Sequence, residues 1–241
     1  MSAQRVWIGL ALLAVAAWIG RVEGRQLRME HRTEDLYRKL QVVQSSQSGD
    51  PRTTTIRSGS EPLTEGLPTA PVTVVYFTDY RCPFCRVFAA RTLPILRHEF
   101  IERGFVRLVI RDFPLHEGSV EDAIAVRCAA AQHRYQEFSG LVFASRSVPA
   151  DTLLTRFARI AKLNIPAWAA CRGDRELAHR VDQDAASAAA ANIHGTPAFV
   201  IGPTTNDSTS GRLLIGALPT ETFREAILTI AQSASTRIKA P

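Results

Sequence analysis

The sequence is poor in the residues from which metal centres are usually built. Its 241 residues include four cysteines and six histidines, and no histidine pair has the H-x3-H or H-E-x-x-H spacing. A zinc knuckle would need a second close cysteine pair, or paired histidines, to complete four ligands. Zinc-dependent classes are therefore disfavoured, and we expect neither a metal nor another cofactor.

The chain also lacks a concentrated basic face. The net charge is +6 and the pI is about 9.5, but arginine and lysine are scattered, with many near the N-terminus. A protein that reads nucleic acid would need a basic stripe together with aromatic or groove-entering elements. The pattern indicates a solvated basic surface and no nucleic-acid partner.

An uncharged apolar stretch lies between Arg5 and Arg21, but it is short. Its 15 residues, Val6 to Gly20, would rise about 22 Å as a helix. A hydrocarbon core is about 30 Å thick, so such a helix spans it only if flanking side chains snorkel. We expect residues 1–24 to be a signal-anchor, with a cleaved signal peptide as the alternative.

Residues 25–69 are expected to connect this stretch to a folded domain. A helix over about 25–43 would align Met29, Leu36, Leu40 and Val43 and serve as a spacer. Residues 44–68 are rich in Ser, Thr, Gly and Pro without periodicity, which is typical of a flexible linker. The folded domain is then expected to cover residues 70–235.

The remaining pattern predicts strands and helices in a mixed order. Strand-like residues 72–77 precede a helical pattern over 83–103 and a second strand over 105–110. Residues 119–193 are alanine-rich and almost wholly helical in pattern; strands over 198–201 and 212–215 and a helix over 220–231 follow. This order predicts an α/β fold with a small mixed (α+β) sheet and a helical insert over about 118–192.

The sequence Cys82-Pro83-Phe84-Cys85 directly follows the first predicted strand. Pro83 suits the first position of a helix, so Cys82 would face free backbone N–H groups and the positive end of the helix dipole. Such settings lower thiol pKa values from about 8.5 to roughly 3.5–7.5. Because the dipole alone lowers a thiol pKa by about 1.5 at best, further help is expected from the Cys85 thiol and from the charge of Arg81.

Four segments together resemble the DsbA-like branch of the thioredoxin superfamily. They are FTDYRCPFC (77–85), RDFPLH (111–116), HGTPAFV (194–200) and GALP (216–219), in family order. The long stretch between Cys85 and Pro197 distinguishes this branch from a minimal thioredoxin. The resemblance implies a thioredoxin fold with an inserted helical domain, and a thiol–disulfide oxidoreductase that acts on cysteine-containing protein substrates.

The resemblance also implies roles for individual residues. Cys82 and Cys85 would be the catalytic pair, and Pro197 matches a cis-proline whose backbone neighbours can pair with an extended substrate. Thr196 should contact the substrate cysteine or Cys82. Phe84 brings no polar group where the best-known oxidants of the family carry histidine, so Cys82 should be acidic but less so than in those proteins.

A proton acceptor for Cys85 is harder to identify. Many members of the family carry a buried carboxylate six residues before the first cysteine, and Tyr76 occupies that place here. Asp79, three residues before Cys82, is the nearest acid and could act through a water molecule. An aspartate that caps a turn is the alternative explanation.

Cys128 and Cys171 lie far apart in the predicted helical insert. Free cysteines often pack as small hydrophobic residues, whereas an even cysteine count in an exported chain favours a structural disulfide. Both interpretations remain open, and neither gives these residues a catalytic role.

Three functions follow from these observations. The first is an extracytoplasmic disulfide exchange enzyme, with a redox partner that re-oxidises or reduces the Cys82–Cys85 pair. The second is a disulfide reductase or isomerase, which Phe84 and the Thr196–Pro197 sequence favour. The third is a protein that holds Cu(I) or another soft metal on the two thiolates, although no additional ligands are evident.

The expected location is the periplasmic side of an inner membrane, anchored by a single N-terminal helix; a cleaved, soluble form is the alternative. Positive charge is heavier after the apolar stretch than before it, which predicts the opposite orientation. A redox cysteine pair with two further cysteines fits an oxidising compartment better.

Overall fold

The computed structural model describes residues 53–57, 63–145 and 151–238, with side chains up to residue 233. The predicted signal-anchor (1–24) and spacer helix (25–43) lie outside the described residues. Within the described part, no helix combines the length and apolar character needed to cross a bilayer.

The strands of the described residues form one mixed sheet. They are β1 (Thr53–Arg57), β2 (Leu63–Glu65), β3 (Val72–Thr78), β4 (Val106–Asp112), β5 (Ala198–Pro203) and β6 (Ser208–Ile215). Their spatial order is β1-β6-β5-β3-β4-β2. Strands β3 and β4 are parallel, whereas β1–β6, β6–β5, β5–β3 and β4–β2 are antiparallel. The predicted mixed sheet is thereby confirmed.

The helices follow the predicted order. Helix α1 is a continuous run of α-helical Pro83–Val87, π-helical Phe88–Thr92, α-helical Leu93–Leu96 and π-helical Arg97–Ile101. The others are α2 (Ser119–Ala130), α3 (Tyr135–Ala144), α4 (Asp151–Ile160), α5 (Ile165–Cys171), α6 (Arg175–Ala190) and α7 (Thr220–Ile238). Helices α2 to α6 form the helical insert between β4 and β5.

The central strand β3 is buried along its whole length, which fits a mainly apolar sequence that includes only Thr73 and Thr78 as polar residues. Its side chains alternate between the two faces of the sheet. On one face, the rings of Tyr76, Phe88, Phe199 and Phe223 lie with centroids 4.5–5.4 Å apart and join the sheet to α1 and α7. On the opposite face, Val75 and Phe77 pack with residues near the end of α6.

The helical insert has a hydrophobic core of its own, and Cys82 and Cys85 pack at its margin. Trp168 is buried there and donates a hydrogen bond of 3.0 Å from its indole nitrogen to the carbonyl oxygen of Ala125. A disulfide joins Cys128 of α2 to Cys171 of α5, with their Cα atoms 5.8 Å apart. Of the two alternatives for these cysteines, the structure contains the bridge.

Buried charges connect the insert to the sheet. The Asp184 carboxylate of α6 accepts hydrogen bonds from the guanidinium groups of Arg111 in β4 and Arg127 in α2. It also accepts one from the backbone N–H of Asp112, over 3.1 Å, and Arg127 pairs with the Asp112 carboxylate as well. These bonds link α2 and α6 of the insert to β4. Moving the insert away from β4 would leave buried charges without partners, which is costly.

Two segments assigned to a flexible linker are strands. Residues 53–57 pair with β6 and residues 63–65 pair with β4, so ordered structure begins well before the expected start at Ala70. Both strands are short and lie at the edges of the sheet. They are stabilised by pairing with β6 and β4, which lie far away in the sequence. The composition of residues 53–57 and 63–65 alone therefore could not reveal these strands.

Candidate active site

Three loops meet at the edge of the sheet formed by the carboxyl ends of β3 and β4. Because β3 and β4 are parallel, the loops after Thr78 and Asp112 begin at the same edge. Strand β5 runs antiparallel to β3 and its first residue, Ala198, pairs with Phe77, so the turn before β5 reaches that edge too. The C-x-x-C sequence, the loop containing His116, and the Thr196–Pro197 turn are thereby brought together.

Cys82 caps the N-terminus of α1. Its extended backbone (φ −67°, ψ 123°) ends the loop, and Pro83 occupies the first turn of the helix. The side chain is only 4% exposed, and its thiol donates a hydrogen bond of 3.3 Å to the carbonyl oxygen of Thr196. The Thr196–Pro197 peptide bond is cis, so the first cysteine lies against the turn that the sequence had suggested.

The Cys82 thiol is acidic, with its pKa lowered to about 6. The largest cause is a hydrogen bond from the Cys85 thiol to the Cys82 sulfur, while burial acts in the opposite direction. The Thr196 side chain and the backbone N–H groups of Cys85 and Phe84 lower it further. These donors match the free amides that make a helix N-terminus a site for anions, and Cys82 is largely ionised at neutral pH.

Cys85 has the opposite character. Its side chain is fully buried, and burial raises its pKa well above the usual thiol range, with the hydrogen bond and charge of Cys82 adding to the effect. The pair therefore consists of one thiolate at the helix end and one protonated thiol beneath it. This difference suits a nucleophile and a resolving cysteine.

The Thr196 hydroxyl lies close enough to both sulfur atoms to lower the pKa of Cys82 and that of Cys85 as a hydrogen-bond donor. Its oxygen is buried and has no hydrogen-bond partner at ordinary distance. A hydroxyl can rotate to donate once the neighbouring sulfur carries charge. Thr196 thus contributes to the acidity of Cys82 through its side chain, whereas its carbonyl oxygen accepts a hydrogen bond from the protonated thiol.

Arg81 was expected to lower the Cys82 pKa with its charge, but its guanidinium pairs with Asp122. Its Nε donates a hydrogen bond of 2.8 Å to the buried carboxylate of Asp122 in α2, and the guanidinium also donates to the Glu117 carbonyl oxygen. Gly118 has a positive φ of 73° and a Cβ there would clash with this guanidinium. The main causes of the low Cys82 pKa are hydrogen bonds and do not include the Arg81 charge, because that charge is paired with Asp122.

Asp79 is a loop-capping residue in this geometry. One carboxylate oxygen accepts hydrogen bonds from the Arg81 backbone N–H and the Ser119 hydroxyl, over 2.8 and 2.6 Å. The other oxygen accepts from the backbone N–H groups of Leu115 and His116 and contacts the His116 Nδ1 atom at 2.6 Å. Burial raises the pKa of Asp79, but these bonds outweigh it and lower the pKa overall. Of the two alternatives for Asp79, this arrangement favours the turn over the proton acceptor for Cys85.

Phe84 contributes apolar contact, as its sequence position suggested. It is partly buried against the core of the helical insert, beside the redox pair. Within the described part of the chain, no cluster of three or more His, Cys, Asp or Glu residues is arranged to hold a metal ion. A soft metal would therefore have only the two cysteines as thiolate ligands here.

Several residues that build the site carried no obvious sequence signal. Asp122 and Ser119 lie on α2 and reach the active-site loop across about 40 residues of chain. The charged pair Arg111-Asp112 at the end of an apolar strand was a usable sign of buried ion pairs. Its partners Arg127 and Asp184 could not be read from spacing.

Comparison with known proteins agrees with the fold. The sequence profile of the family described as Thioredoxin matches residues 59–215. The chain is 31% identical over 173 residues to "Na(+)/H(+) antiporter NhaA 3" of Salinispora tropica, covering 70% of this chain but 24% of that protein. It is 25% identical over 147 residues to "Probable disulfide bond formation protein D" of Bacillus anthracis, covering 56% of this chain and 67% of that protein. The chain thus spans about a quarter of the antiporter.

Solved structures share the fold. The crystal structure of alpha-DsbA1 from Wolbachia pipientis superposes with a TM-score of 0.68 at 22% sequence identity, covering 76% of this chain and 96% of that one. At this identity the likeness concerns the arrangement of strands and helices.

Proposed function

This chain belongs to the family described as Thioredoxin, and we propose that it is a DsbA-like member that exchanges disulfides with cysteine-containing protein substrates through Cys82 and Cys85. The observation that carries the proposal is the unequal pair: a Cys82 thiol with a pKa of about 6 beside a protonated, fully buried Cys85. A metal-binding pair would have no need of this asymmetry.

In the oxidising direction, a substrate thiolate attacks the Cys82 sulfur of the enzyme disulfide. A bond forms between the substrate and Cys82, the Cys82–Cys85 bond breaks, and its electron pair leaves with Cys85, which takes a proton from solvent. A second substrate thiolate then attacks the substrate sulfur of the mixed disulfide. Cys82 leaves as a thiolate, which its low pKa makes a good leaving group.

Substrate binding is proposed for the Thr196–Pro197 turn. Thr196 lies against the Cys82 sulfur, and an extended peptide can pair with backbone groups beside a cis-proline as an added strand. The arrangement would place a substrate cysteine next to the attacking or leaving sulfur. Backbone pairing is independent of substrate side chains, which suits an enzyme that accepts many proteins.

The proposed location is extracytoplasmic, with residues 1–24 as the membrane attachment. The Cys128–Cys171 disulfide supports it, because structural disulfides persist in oxidising compartments. A redox partner must then re-oxidise or reduce the Cys82–Cys85 pair after each turnover. Na⁺/H⁺ transport and other activities of longer relatives are not part of the proposal.

The second candidate function is disulfide reduction or isomerisation, which runs the same exchange in the opposite direction. The Phe84 side chain has no polar group to offer the Cys82 thiolate, and this favours reduction or isomerisation over strong oxidation. Equilibration with glutathione buffers measures the potential: a value near about −120 mV, that of DsbA, indicates an oxidant and a value near about −270 mV, that of thioredoxin, indicates a reductant.

The function is tested with cysteine variants of the full chain. Cys82→Ser should abolish both the oxidation of a dithiol peptide and the reduction of its disulfide form, and Cys85→Ser should accumulate mixed disulfides with client proteins. The Cys82→Ser/Cys85→Ser double variant is the control and should form no adducts. Tight stoichiometric binding of Cu(I) without any exchange activity would instead support the metal-binding alternative.

A further inference from the structure

The buried Cys85 sulfur must carry a negative charge during exchange, and burial makes that costly. Its side chain is fully enclosed, and the pKa is raised chiefly by burial. Hydrogen bonds from the Asp79 backbone and the Thr196 side chain lower the pKa but do not offset burial. When Cys85 attacks or leaves Cys82, the charge on its sulfur therefore calls for a further hydrogen-bond donor within the protein. The Asp79 carboxylate cannot provide one, because its lowered pKa leaves it without a proton to donate, and its oxygens accept hydrogen bonds from the loop.

Tyr76 directs a hydroxyl toward this region from the sheet. Tyr76 and Thr78 are two residues apart on β3, so their side chains lie on the same face. The Thr78 hydroxyl donates a hydrogen bond of 2.8 Å to the phenol oxygen of Tyr76. The Tyr76 ring therefore extends along the strand toward its carboxyl end, where the active-site loop begins. With its oxygen acting as an acceptor, the phenol hydrogen remains available to another group.

The neighbours of the ring place that hydroxyl under the first turns of α1. The Tyr76 ring stacks on Phe199 at 5.0 Å and contacts the Phe88 ring at 4.9 Å. Phe88 follows Cys85 by three residues on α1, and both side chains are buried, so they project from the same side of the helix. Tyr76 is thus enclosed between the sheet and the helix side that bears Cys85.

The electrostatics agree with this placement. Burial is the largest cause that raises the pKa of Tyr76 well above its usual range, and the charge of Cys85 is the next. The phenol therefore keeps its proton and cannot act as a base. It is suited to donate a hydrogen bond to a thiolate.

We propose that the Tyr76 hydroxyl donates a hydrogen bond to the Cys85 sulfur when that sulfur is a thiolate, with Thr78 orienting the phenol. The proposal rests on the disulfide exchange proposed above. In the resolving step, Cys85 loses its proton to solvent and its thiolate attacks the Cys82 sulfur of a mixed disulfide. The Cys82–Cys85 bond forms, the bond to the bound thiol breaks, and the electron pair leaves with that thiol. Tyr76 stays protonated throughout.

Dithiobis(nitrobenzoate), a disulfide reagent, distinguishes the reactions of the two cysteines in one experiment on the full chain. The Cys82 thiolate of the reduced protein attacks the reagent and releases one thionitrobenzoate in a first phase. Cys85 then attacks the mixed disulfide and releases a second one. The first phase reports the proposed function, and the second reports the inference about Tyr76.

Tyr76→Phe keeps the ring and removes the hydroxyl. The second phase should slow by about ten- to a hundredfold, the range expected for one hydrogen bond to a charged group, and its pH profile should move to higher pH. The first phase should keep its rate. Thr78→Val should slow the second phase less, because the phenol remains. Tyr80→Phe is the matched control, since it removes another buried phenol hydroxyl from the cluster that contains Cys82 and Cys85, and it should change neither phase.

A second phase that is equally fast in Tyr76→Phe and in the wild type would overturn the role of Tyr76 while leaving the proposed function intact. A wild-type protein without a rapid Cys82-dependent first phase would contradict the proposed function itself. Equal thermal unfolding temperatures of the variants establish that the comparison is made between folded proteins. If Tyr76→Phe does not fold, the smaller shift expected for Thr78→Val decides the question.

Discussion

The Cys82 sulfur and the Thr196 carbonyl oxygen are 3.3 Å apart, although 114 residues separate them in the chain. This contact joins the N-terminus of α1 to the cis turn before β5. It places the reactive sulfur beside backbone that an extended substrate can pair with. The site therefore exists only when β3 and β5 are correctly paired.

Cys82 should titrate far below an ordinary thiol. The ultraviolet absorbance of the thiolate in the reduced protein should give a midpoint near 6, and Cys82→Ser should remove the transition. Thr196→Val should raise the midpoint, since it deletes a hydroxyl that stabilises the thiolate. A midpoint near that of free cysteine, about 8.5, would contradict the active-site geometry.

The stability of the reduced protein should depend on pH through Cys82. A pKa that is lower in the folded state stabilises the folded protein above the unfolded thiol pKa, and this stabilisation is lost as the pH falls through the folded pKa. The free energy of unfolding should therefore decrease by roughly 3 kcal/mol between about pH 8.5 and pH 6.

The oxidised protein is the control for this measurement, because Cys82 does not titrate in a disulfide. The difference between the two forms in urea unfolding isolates the two active-site thiols from other titrating groups. Because the pKa of Cys85 is raised, its contribution to the pH dependence appears only as the pH rises through the unfolded thiol pKa, so the loss of stability toward pH 6 reports Cys82. If the two forms show the same pH dependence, the low pKa of Cys82 is wrong.

The Cys128–Cys171 disulfide should stabilise the fold without taking part in exchange. The two residues are 43 positions apart, and closing a loop of this length restricts the unfolded chain by about 4 kcal/mol. Cys128→Ala/Cys171→Ala should lower the free energy of unfolding by a similar amount in denaturant titration. The Cys82 titration midpoint should not move; a shift would indicate that the bridge also shapes the active site.

Asp184 should be important for stability although it lies outside the active site. Asp184→Ala removes the carboxylate partner of the buried Arg111 and leaves Arg127 with Asp112, so two buried guanidinium groups share one carboxylate, which should cost about 3–5 kcal/mol in denaturant unfolding. Glu137→Ala is the matched control, because its pairing with Arg134 is 45–48% exposed and should contribute less than about 1 kcal/mol. Equal losses in the two variants would argue against the buried network.

Local patterns predicted most of the fold because they depend on near neighbours. The apolar run of β3 and Pro83 after Cys82 indicate a strand followed by a helix start. The alanine-rich periodic stretch likewise predicted the helical insert, which the structure resolves into α2 to α6. Strands β1 and β2 were missed, since edge strands this short depend on the strands they pair with and not on their own composition.

The sequence by itself determined which residues carry the chemistry: two cysteines at a helix start, a buried strand before them, and a distant Thr-Pro. The tertiary structure alone decided what surrounds those residues. It paired Arg81 with Asp122, enclosed Asp79 in loop hydrogen bonds, and enclosed Tyr76 beneath the helix that bears Cys85. The physical reason is that helix starts and strand patterns arise from adjacent residues, whereas burial, charge pairing and the resulting pKa values arise from contacts between distant parts of the chain.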